Sequence, residues 1–325
     1  MSIRVNKAGL LDTIQDLGRF GYQHWGINPG GAMDAIGMQV ANMLVGNELN
    51  DAVLEMHFPS AELVFDQPAL IALAGGDFDF TLDGIALPLH QPALVKAGSV
   101  LKCGKNMSGA RAYLAVAGGF IADQWLRSYS TQLKVHAGGY HGRALAKNDV
   151  ITCKHSLNIA VEETRLLPWR ADIAGLYQQG LVHFIAGAEY DWLDAESKDQ
   201  LQQASFLLGR NSDRMGYRLQ SAALRKVNTN ELISTAVTRG TMQLLPEGQL
   251  IILMADHQTT GGYPRVGHII STHLPALAQV VAGTEICFQQ TTIGAAEESL
   301  RMQQRNLHQL QNACTLRLQS LSITN

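Results

Sequence analysis

The chain has few cysteines, and none of them lies in a recognisable motif. The four cysteines, at positions 103, 153, 287 and 314, are widely spaced, with no Cys-x-x-Cys pair and no His or Cys cluster at ligand spacing. This pattern argues against a structural zinc site and against a disulfide framework. We therefore expect no metal site, and we interpret each cysteine as a small buried hydrophobic residue rather than a nucleophile.

Charge and long apolar runs are also scarce. Charged residues make up 16% of the chain, and the net charge of -3 is spread without blocks of one sign, which predicts no nucleic-acid partner. No stretch approaches the roughly 18 consecutive apolar residues of a membrane span, so we expect no membrane association. Residues 1–7 lack the apolar core of a signal peptide. We expect a cytoplasmic protein.

Several common catalytic and nucleotide-binding motifs are missing. No Gly-x-Gly-x-x-Gly follows a predicted strand, and the phosphate-loop-like stretch 98–106 has the wrong glycine spacing. No Gly-x-Ser-x-Gly occurs, which argues against a standard serine hydrolase. Any catalysis is therefore expected to use carboxylates, amides, hydroxyls and backbone dipoles.

Short strand-like runs dominate what is present. With 325 residues and 46% apolar content, the chain is long enough for about two domains. The runs recur at roughly 8 to 12-residue spacing and are separated by Gly, Pro or Asp, a rhythm typical of a barrel or sandwich. They cover residues 61–65, 70–74, 78–82, 93–95, 100–102, 112–116 and 150–153.

Helical periodicity is confined to a few segments. Apolar residues recur at helical spacing over 32–45, 171–179, 196–208 and 295–316. The last helix is predicted to carry the apolar stripe Ala296, Leu300, Leu307, Leu310 and Cys314, with Glu297 and Glu298 in its first turn, where the helix dipole favours acids.

The strand rhythm is interrupted between residues 156 and 180. We therefore predict two domains, 1–165 and 166–325. A weak internal similarity between 70–83 and 181–194 would fit two related halves, and two unrelated strands of ordinary composition explain it equally well.

One loop concentrates polar groups directly after a buried strand. The apolar run 250–255 precedes Asp-His-Gln-Thr-Thr-Gly-Gly-Tyr-Pro at 256–264, where Gly261 and Gly262 free the backbone. A rigid strand end can aim such side chains at a ligand. Asp256 is predicted either to accept backbone N–H bonds or to act as a base, and Thr259 and Thr260 could supply hydroxyls.

Three further segments offer similar groups. Gly30 and Gly31, at the predicted start of a helix, would present N–H groups to a carboxylate or oxyanion; the alternative is a glycine-rich turn with Asp16 and Arg19 as a surface pair. In 130–143, a lysine and an arginine near glycines could hold an anion, or form a solvated loop. In 211–219, the charges of Asp213 and Arg214 need partners, and a structural ion pair is the alternative.

The amino-acid sequences of these segments resemble those of one known family. The motifs are TIQDLGR (13–19), GGAMD (30–34), ANMLVGN (41–47), YLAVAGG (113–119), GRAL (142–145), SDRMGYR (212–218) and DHQTTGGYP (256–264). By these motifs the chain resembles the biotin-dependent carboxyltransferase or allophanate hydrolase subunit 2 family from about residue 5 to 288. The resemblance implies a mainly β fold with a few helices, arranged as two cyclophilin-like β-barrel domains.

The resemblance also implies a function that depends on partners. Stand-alone bacterial members include the C subunit of 5-oxoprolinase, which works with a subunit 1 homologue (the B subunit) and an A subunit to open 5-oxoproline to glutamate at the expense of ATP. We therefore expect a hetero-oligomeric, ATP-dependent amide hydrolase with a small amide substrate, in which ATP need not contact this chain. No biotin-attachment or ATP-grasp segment is present. The alternatives are a carboxyltransferase-like subunit of urea or allophanate metabolism, and a regulator that binds a kinase-inhibitor-type partner.

Amide chemistry gives the matching residues provisional roles. A developing negative charge on the amide oxygen requires fixed donors, and a departing amide proton requires a base. Asp256 is the predicted base, Arg214 and Lys134 the anion anchors, and Tyr217 and Tyr263 the orienting groups. The predicted donors and remaining site residues are Gly30, Gly31, Asp213, Gln258, Thr259, Thr260, Gly261 and Gly262.

The chain departs from the family's usual sequence at three places. Family members usually carry an acid near Gln132, near His141 and near Thr235. The three missing acids lie near loops that carry predicted site residues.

Overall fold

The computed structural model describes residues 1–155, 161–177, 180–228 and 230–320. By its internal contacts the chain forms two compact units. Unit 1 comprises Met1–Arg19, Asp34–Ala174 and Asn306–Asn325, and unit 2 comprises Phe20–Met33 and Gly175–Arg305. The domain boundary predicted between 165 and 166 falls inside unit 1, and it stays a prediction about folding domains.

Unit 1 is built from twelve strands in two antiparallel sheets. One sheet has the order β11-β1-β4-β9-β6-β7 and the other β12-β8-β5-β10-β3-β2. The strands are β1 (Ser2–Lys7), β2 (Thr13–Gln15), β3 (Val53–His57), β4 (Glu62–Phe65), β5 (Ala69–Asp77), β6 (Thr81–Leu82), β7 (Ile85–Ala86), β8 (Ala93–Val95), β9 (Val100–Lys102), β10 (Ser108–Val116), β11 (Val150–Thr152) and β12 (Arg165–Leu166).

The two sheets of unit 1 share one hydrophobic core. Ile3 and Leu63 of one sheet belong to the same buried cluster as Leu54 and Leu114 of the other. The alternation of buried and exposed residues along β1 and β4 is that of strands with one covered face. The strands predicted in this region are therefore confirmed, with boundaries shifted by a few residues.

Helix α1 (Ala35–Val45) packs in unit 1 and is almost entirely buried. The periodicity predicts a start at residue 32. The observed helix begins three residues later because Asp34 is its N-cap: the carboxylate accepts a hydrogen bond from the Gly37 N–H at 2.8 Å. The helix ends at Val45, the predicted last residue, with Gly46 as its C-cap at a φ of 78°.

Unit 2 contains a closed seven-stranded barrel. Its strand order is β13-β20-β17-β18-β15-β14-β21, and the pairing of β13 with β21 is parallel. A separate two-stranded ladder joins β16 and β19. The strands are β13 (Val182–Ala186), β14 (Ser205–Leu208), β15 (Gly216–Gln220), β16 (Thr235–Ala236), β17 (Thr241–Leu244), β18 (Leu250–Leu253), β19 (Thr260–Gly261), β20 (Arg265–Ile269) and β21 (Glu285–Gln290).

Aromatic rings fill the barrel interior. Phe288 lies edge-on to Phe206, with ring centroids 5.3 Å apart, and edge-on to Phe184 at 6.5 Å. Every strand of the barrel contributes residues to this core. Leu201, from the helix at Ala195–Gln203, belongs to it as well. The prediction of a mainly β fold with a few helices and barrel architecture is confirmed.

The remaining helices are short except for the last one. They are α2 (Ala195–Gln203), α3 (Leu274–Ala278) and α4 (Ile293–Ser320), with 3-10 turns at Gln23–Trp25, Tyr190–Trp192 and Ser271–His273. The predicted C-terminal helix is confirmed and is longer than expected. Within its stripe Cys314 is buried, as predicted, and Gln303 and Leu318 are buried as well.

Two helix predictions are corrected. The predicted helix 196–208 ends at Gln203 and gives way to β14, because Phe206 and Leu208 alternate into the barrel core. The predicted helix 171–179 is wrong for residues 171–177, which form a loop with a turn at 174–176, and residues 178–179 lie outside the described residues. In that loop the Ala171 N–H bonds to the carbonyl of His90, and the Asp172 carboxylate accepts the Ala174 N–H.

All four cysteines are free; Cys153 and Cys314 are buried, and Cys103 and Cys287 are half-buried. Burial raises the pKa of the Cys153 and Cys314 thiols to about 12. None of the helices among the described residues combines the length and the apolar character needed to cross a membrane.

Candidate functional site

The glycine-rich segment 28–33 belongs to unit 2 and is held there by side chains of the same unit. Gly30 and Gly31 adopt φ angles of 63° and 88°, which favour glycine, and both are buried. Helix α1 begins at Ala35 and not at the predicted residue 32. Gly30 and Gly31 lie instead in a turn upstream of the helix.

Two arginine side chains fix this turn through backbone carbonyl groups. Arg214 donates from Nη2 to the Gly31 carbonyl at 2.7 Å. Arg239 donates to the carbonyls of Ala32, at 3.1 Å, and of Met33. Since carbonyl oxygens are the groups engaged, the arginines position the turn. We call the arrangement of Asn28, Arg214, Arg239 and Asp256 around 30–33 the clasp.

The centre of the clasp is an ion pair between Arg214 and Asp256. Arg214 donates from Nε to Asp256 Oδ2 at 2.8 Å and from Nη2 to Oδ1 at 3.2 Å. The side chains are 7% and 11% exposed. Asn28 adds a bond from Nδ2 to the Asp256 carbonyl at 2.9 Å. Such a two-bond pair is geometrically specific, and losing one partner leaves a poorly solvated charge.

The ion pair bears on the roles predicted from sequence. The sequence predicts Asp256 as a base and Arg214 as an anion anchor; in the structure each engages the other. Arg214 finds its partner in Asp256 and not in its neighbour Asp213. The geometry gives both residues a positioning role at Gly31, which agrees with the alternative of a structural ion pair.

Asp213 and Tyr217 lie on different faces of the barrel wall. Asp213 is exposed, and its Oδ1 accepts from the N–H of Met215, at 2.8 Å, and of Gly216, at 3.3 Å. Tyr217 is buried in the barrel core, with its hydroxyl directed at the Ala278 carbonyl at 3.4 Å. The structure therefore places Tyr217 inside the barrel and Asp213 at the surface.

A cleft of about 430 Å³ lies against the outside of the barrel. Three of the predicted residues meet there: Asp213, Gln258 and Tyr263. Its other polar lining residues were not selected as site residues from the sequence; they are Asn211, Arg218, Gln243 and Glu247. A second cleft, of about 530 Å³, shares Leu245, Pro246 and Tyr263 with the first and adds Gly262. Volumes of this size suit small molecules.

The loop predicted to supply hydrogen-bond donors is partly a β-ladder. Thr260 and Gly261, which form β19, pair with Ala236 and Thr235 of β16. The Val237 N–H donates to the Thr259 carbonyl at 3.0 Å. The loop is therefore a two-stranded cover beside the clefts. Its backbone is fixed by pairing, which is the property that preorganised donors need.

His257, next to the ion pair, is a buried neutral residue. Its Nδ1 lies 2.5 Å from the Gln258 carbonyl oxygen. Burial lowers the pKa of His257, the Gln258 carbonyl partly opposes that shift, and the positive charge of Arg239 adds to it. A neutral imidazole at this position stiffens the start of the loop.

The remaining candidates lie in unit 1. Lys134 is exposed, and Arg143 forms a two-bond ion pair with Asp149 at 2.6 and 2.8 Å, which corrects the anion-binding prediction for that arginine. The alternative of a surface pair for Asp16 and Arg19 is wrong, because both side chains are buried.

Asp16 organises a buried polar network. Its carboxylate accepts from the hydroxyls of Ser128 and Ser130, at 2.7 and 2.6 Å, and from the N–H groups of Gly18 and Tyr129. A buried carboxylate with four donors is fully satisfied. The alternative of a solvated loop over 130–143 is therefore wrong for 130–132, which lies in the interior.

The residues not predicted from the sequence include Asn28 and Arg239 of the clasp and Gln243 of the cleft. Gln243 had a usable signal, since it is the polar residue of the short run Thr-Met-Gln-Leu, which forms a strand buried along its whole length. Asn28 and Arg239 adjoin a proline and a glycine and stand out by no spacing. In the part of the chain that the structure describes, no three His, Cys, Asp or Glu side chains come together as a metal site would require.

Comparison with known proteins gives a consistent result. Residues 25–290 match the family model described as "Carboxyltransferase domain, subdomain A and B". The chain is 34% identical over 294 residues to the C subunit of 5-oxoprolinase from Haemophilus influenzae, covering 90% of this chain and 92% of the relative. It is 36% identical over 310 residues to the C subunit of 5-oxoprolinase from Escherichia coli K12, covering 95% and 97%.

A solved structure shares the fold over nearly the whole chain. The crystal structure of Kluyveromyces lactis urea carboxylase superposes with a TM-score of 0.88 at 25% identity, covering 95% of this chain. The match occupies 29% of that much longer protein.

Proposed function

This chain belongs to the family of the carboxyltransferase domain, subdomain A and B, and from that premise we propose that it is the C subunit of a 5-oxoprolinase. The single observation that carries the proposal is the likeness to two bacterial proteins of that name, at 34% and 36% identity over at least nine-tenths of both partners. Since the likeness covers at least nine-tenths of each chain, it is not confined to one shared domain.

The proposed reaction opens a five-membered cyclic amide. Water adds to the ring carbonyl of 5-oxoproline, the C–N bond breaks, and the nitrogen leaves as the amino group of glutamate. Hydrolysis of ATP to ADP and phosphate by a second water drives the opening. The amide oxygen gains negative charge during the addition, so the site needs fixed donors, and the nitrogen needs a proton as it leaves.

The described residues suit the binding and orientation parts of this chemistry. The cleft joins carboxylate, guanidinium and amide groups next to a loop whose backbone is fixed by the β16–β19 ladder. The clasp holds the turn at Gly31 by charged hydrogen bonds. We propose that the cleft holds the substrate and that the clasp keeps 30–33 rigid.

The protein is proposed to act only in an assembly. The relatives are named as subunits, so the chain has partner subunits, which we propose to be a subunit 1 homologue of the B type and an A subunit. We propose that ATP is bound by the assembly and that the reaction takes place in the cytoplasm, where ATP is available. That this chain contributes to catalysis within the assembly is part of the proposal.

A second candidate function is carboxyl transfer to a urea-type substrate. It is favoured by the fold shared with urea carboxylase, at a TM-score of 0.88. The two functions share an amide or ureido group as the reacting centre. They differ in the second reactant, which is water in the hydrolysis and a carboxyl donor in the transfer.

Reconstitution tests the proposal. The chain is co-expressed with its B-type and A-type partner subunits from the same genome, and release of glutamate from 5-oxoproline is followed with ATP. We expect activity that requires all three chains and ATP. Activity of the two other subunits without this chain would contradict the proposal, and carboxyl transfer to urea without glutamate release would favour the second candidate.

A further inference from the structure

Four residues form a row across the outer face of the barrel. In the register of β15, β18, β17 and β20, Arg218 lies opposite Ile251, Ile251 opposite Gln243, and Gln243 opposite Arg265. Their neighbours along the strands, including Met242 and Ile252, belong to the barrel core. Because strand side chains alternate between faces, the row points outward. Arg218, Ile251 and Gln243 all line the 430 Å³ cleft.

Arg218 is the cation of this cleft. Its backbone N–H bonds to the Ser212 hydroxyl at 3.0 Å, and no bond or ion pair of its guanidinium is found among the described residues. By contrast, Arg265 at the other end of the row is engaged by Glu189 in two hydrogen bonds of 2.9 Å. The guanidinium of Arg218 is therefore open to a ligand.

Gln243 is a buried amide with an unused acceptor. Its side chain is 0% exposed, and Oε1 accepts no hydrogen bond in the structure. Its Nε2 lies at the long distance of 3.5 Å from the Tyr263 carbonyl oxygen. An unmatched buried acceptor is destabilising, and each one in a folded protein calls for an explanation. An N–H donor supplied by a ligand in the cleft would provide it.

We propose that the cleft binds a lactam carboxylate, with Arg218 pairing with the carboxylate and Gln243 Oε1 accepting the ring N–H. The proposal rests on the function proposed above and names the subsite that would recognise its substrate. Both groups of the ligand are adjacent in 5-oxoproline, where the carboxylate is carried by the carbon next to the ring nitrogen. Arg218 and Gln243 are thus specificity-determining residues.

The spacing of the row suits such a ligand. Arg218 and Gln243 stand two strands apart, which separates their backbones by about 10 Å at normal strand spacing. Arg218 and Gln243 flank Ile251 on the same face of the barrel, so one small ring would lie over Ile251 between them. The apolar Ile251 between them offers a surface for the ring methylenes.

The cleft also carries two carboxylates, Asp213 and Glu247. With Arg218 they give the lining a formal charge of -1, which disfavours a ligand that is only an anion. A ligand that combines a carboxylate with N–H donors suits the lining better. Ring opening would turn the N–H into an ammonium group, which the same carboxylates would favour.

A cycle of variants and substrates tests the proposal. In the reconstituted complex, kcat/KM is measured for 5-oxoproline and for 2-pyrrolidinone, which lacks the carboxylate. We expect Arg218→Met to lower kcat/KM for 5-oxoproline roughly 10- to 150-fold, the range for a charged hydrogen bond. For 2-pyrrolidinone the change should stay within about twofold. Arg210→Met, an exposed arginine outside the cleft lining, is the matched control and should alter neither value.

Gln243→Leu is paired with N-methyl-5-oxoproline, which has no ring N–H. The wild-type complex should favour 5-oxoproline over the N-methyl compound, and the variant should lose most of that preference. Thermal unfolding of each variant confirms that it is folded. Equal losses on both members of either substrate pair would overturn the proposal, since a merely structural role would not distinguish them.

Direct binding separates this inference from the proposed function. Titration calorimetry measures binding of 5-oxoproline and 2-pyrrolidinone to the full chain and to the complex. Binding of 5-oxoproline that weakens in Arg218→Met supports the subsite even if the complex shows no hydrolysis. An active wild-type complex whose selectivity is unchanged in both variants would support the proposed function and overturn the subsite. An inactive complex that binds neither lactam would overturn both.

Discussion

Arg214 and Asp256 are joined by two hydrogen bonds, of 2.8 and 3.2 Å, in a nearly buried pair whose arginine also holds the carbonyl of Gly31. The pair therefore connects a strand end of the barrel to a turn that is distant in sequence. Its importance is positional, and this has a measurable consequence for each partner.

Asp256→Asn is expected to lower the free energy of unfolding by about 3 kcal/mol, because the Arg214 charge loses its partner in a poorly solvated place. The change is measured by urea denaturation. Arg4→Ala is the matched control: its pair with Asp66 is exposed, at 54% and 28%, so the loss should be at most about 1 kcal/mol. A normally stable Asp256→Asn chain whose complex has lost turnover would instead favour the role of base.

Gly31→Ala is expected to destabilise the chain by about 1 to 2 kcal/mol, because a side chain at a φ of 88° is strained. Gly294→Ala is the control, since this helical glycine has ordinary φ and open space around the added carbon. It should be neutral or slightly stabilising. Equal midpoints for the two variants would contradict the constrained turn.

Gly261→Ala is expected to displace the Gln243 amide. A Cβ at position 261 would lie 2.5 Å from Gln243 Nε2, far inside normal contact. The variant should therefore lose stability by about 1 to 3 kcal/mol, the range for overpacking. In a Gln243→Ala background, which removes the contacted atom, the same change should have a much smaller effect. Additive losses in denaturation would show that the two residues do not meet.

His273 is expected to make stability depend on pH below neutrality. Burial, and then the neighbouring His183, lower the pKa of His273 to about 4. Between about pH 6.5 and 4 the unfolded chain thus binds a proton that the native state does not, so stability falls as the pH is lowered through this window. His273→Asn keeps an acceptor for the His183 N–H and cannot titrate, so its stability should fall less steeply.

Other groups act over the same window, so the comparison must be between variants. Burial lowers the pKa of His90 to about 4 as well, and His90→Asn combined with His273→Asn should flatten the profile further. Burial raises the pKa of Asp12 to about 7, which acts in the opposite direction between pH 3.8 and 7. Unfolding midpoints from about pH 4 to about pH 7.5 measure the slopes; parallel profiles for wild type and variants would contradict the assignment.

Much of the fold could be predicted because its signals are local. The alternation along β1 and β4 and the stripe that buries Cys314 follow from period alone, and Gly46 marks a helix end by its own conformation. The start of α1 was predicted three residues too early. Apolar periodicity does not show which side chain accepts the first free N–H groups, and here that side chain is Asp34. The helix prediction for 196–208 was wrong in its second half, because those residues form a strand of a barrel whose other strands are remote in sequence.

The candidate site was harder to predict for the same reason. The loop at 256–264 was found because a strand end is visible in sequence, and three predicted residues do meet in one cleft. Their partners are fixed by long-range pairing: Arg214 pairs with Asp256 rather than the adjacent Asp213, and Gln243 reaches the cleft by strand register. No spacing in the chain encodes those neighbours, so residue type alone could not predict them.

The parallel pairing of β13 with β21 closes the barrel between its first and its last strand. On the ribosome, a nascent chain therefore displays the open edge of β13 throughout synthesis of the intervening strands. An unpaired edge is a template for pairing with other chains, and closure over such a sequence distance is slow. Production of this protein should accordingly benefit from holding chaperones, with misfolding concentrated in chains that stop short of β21.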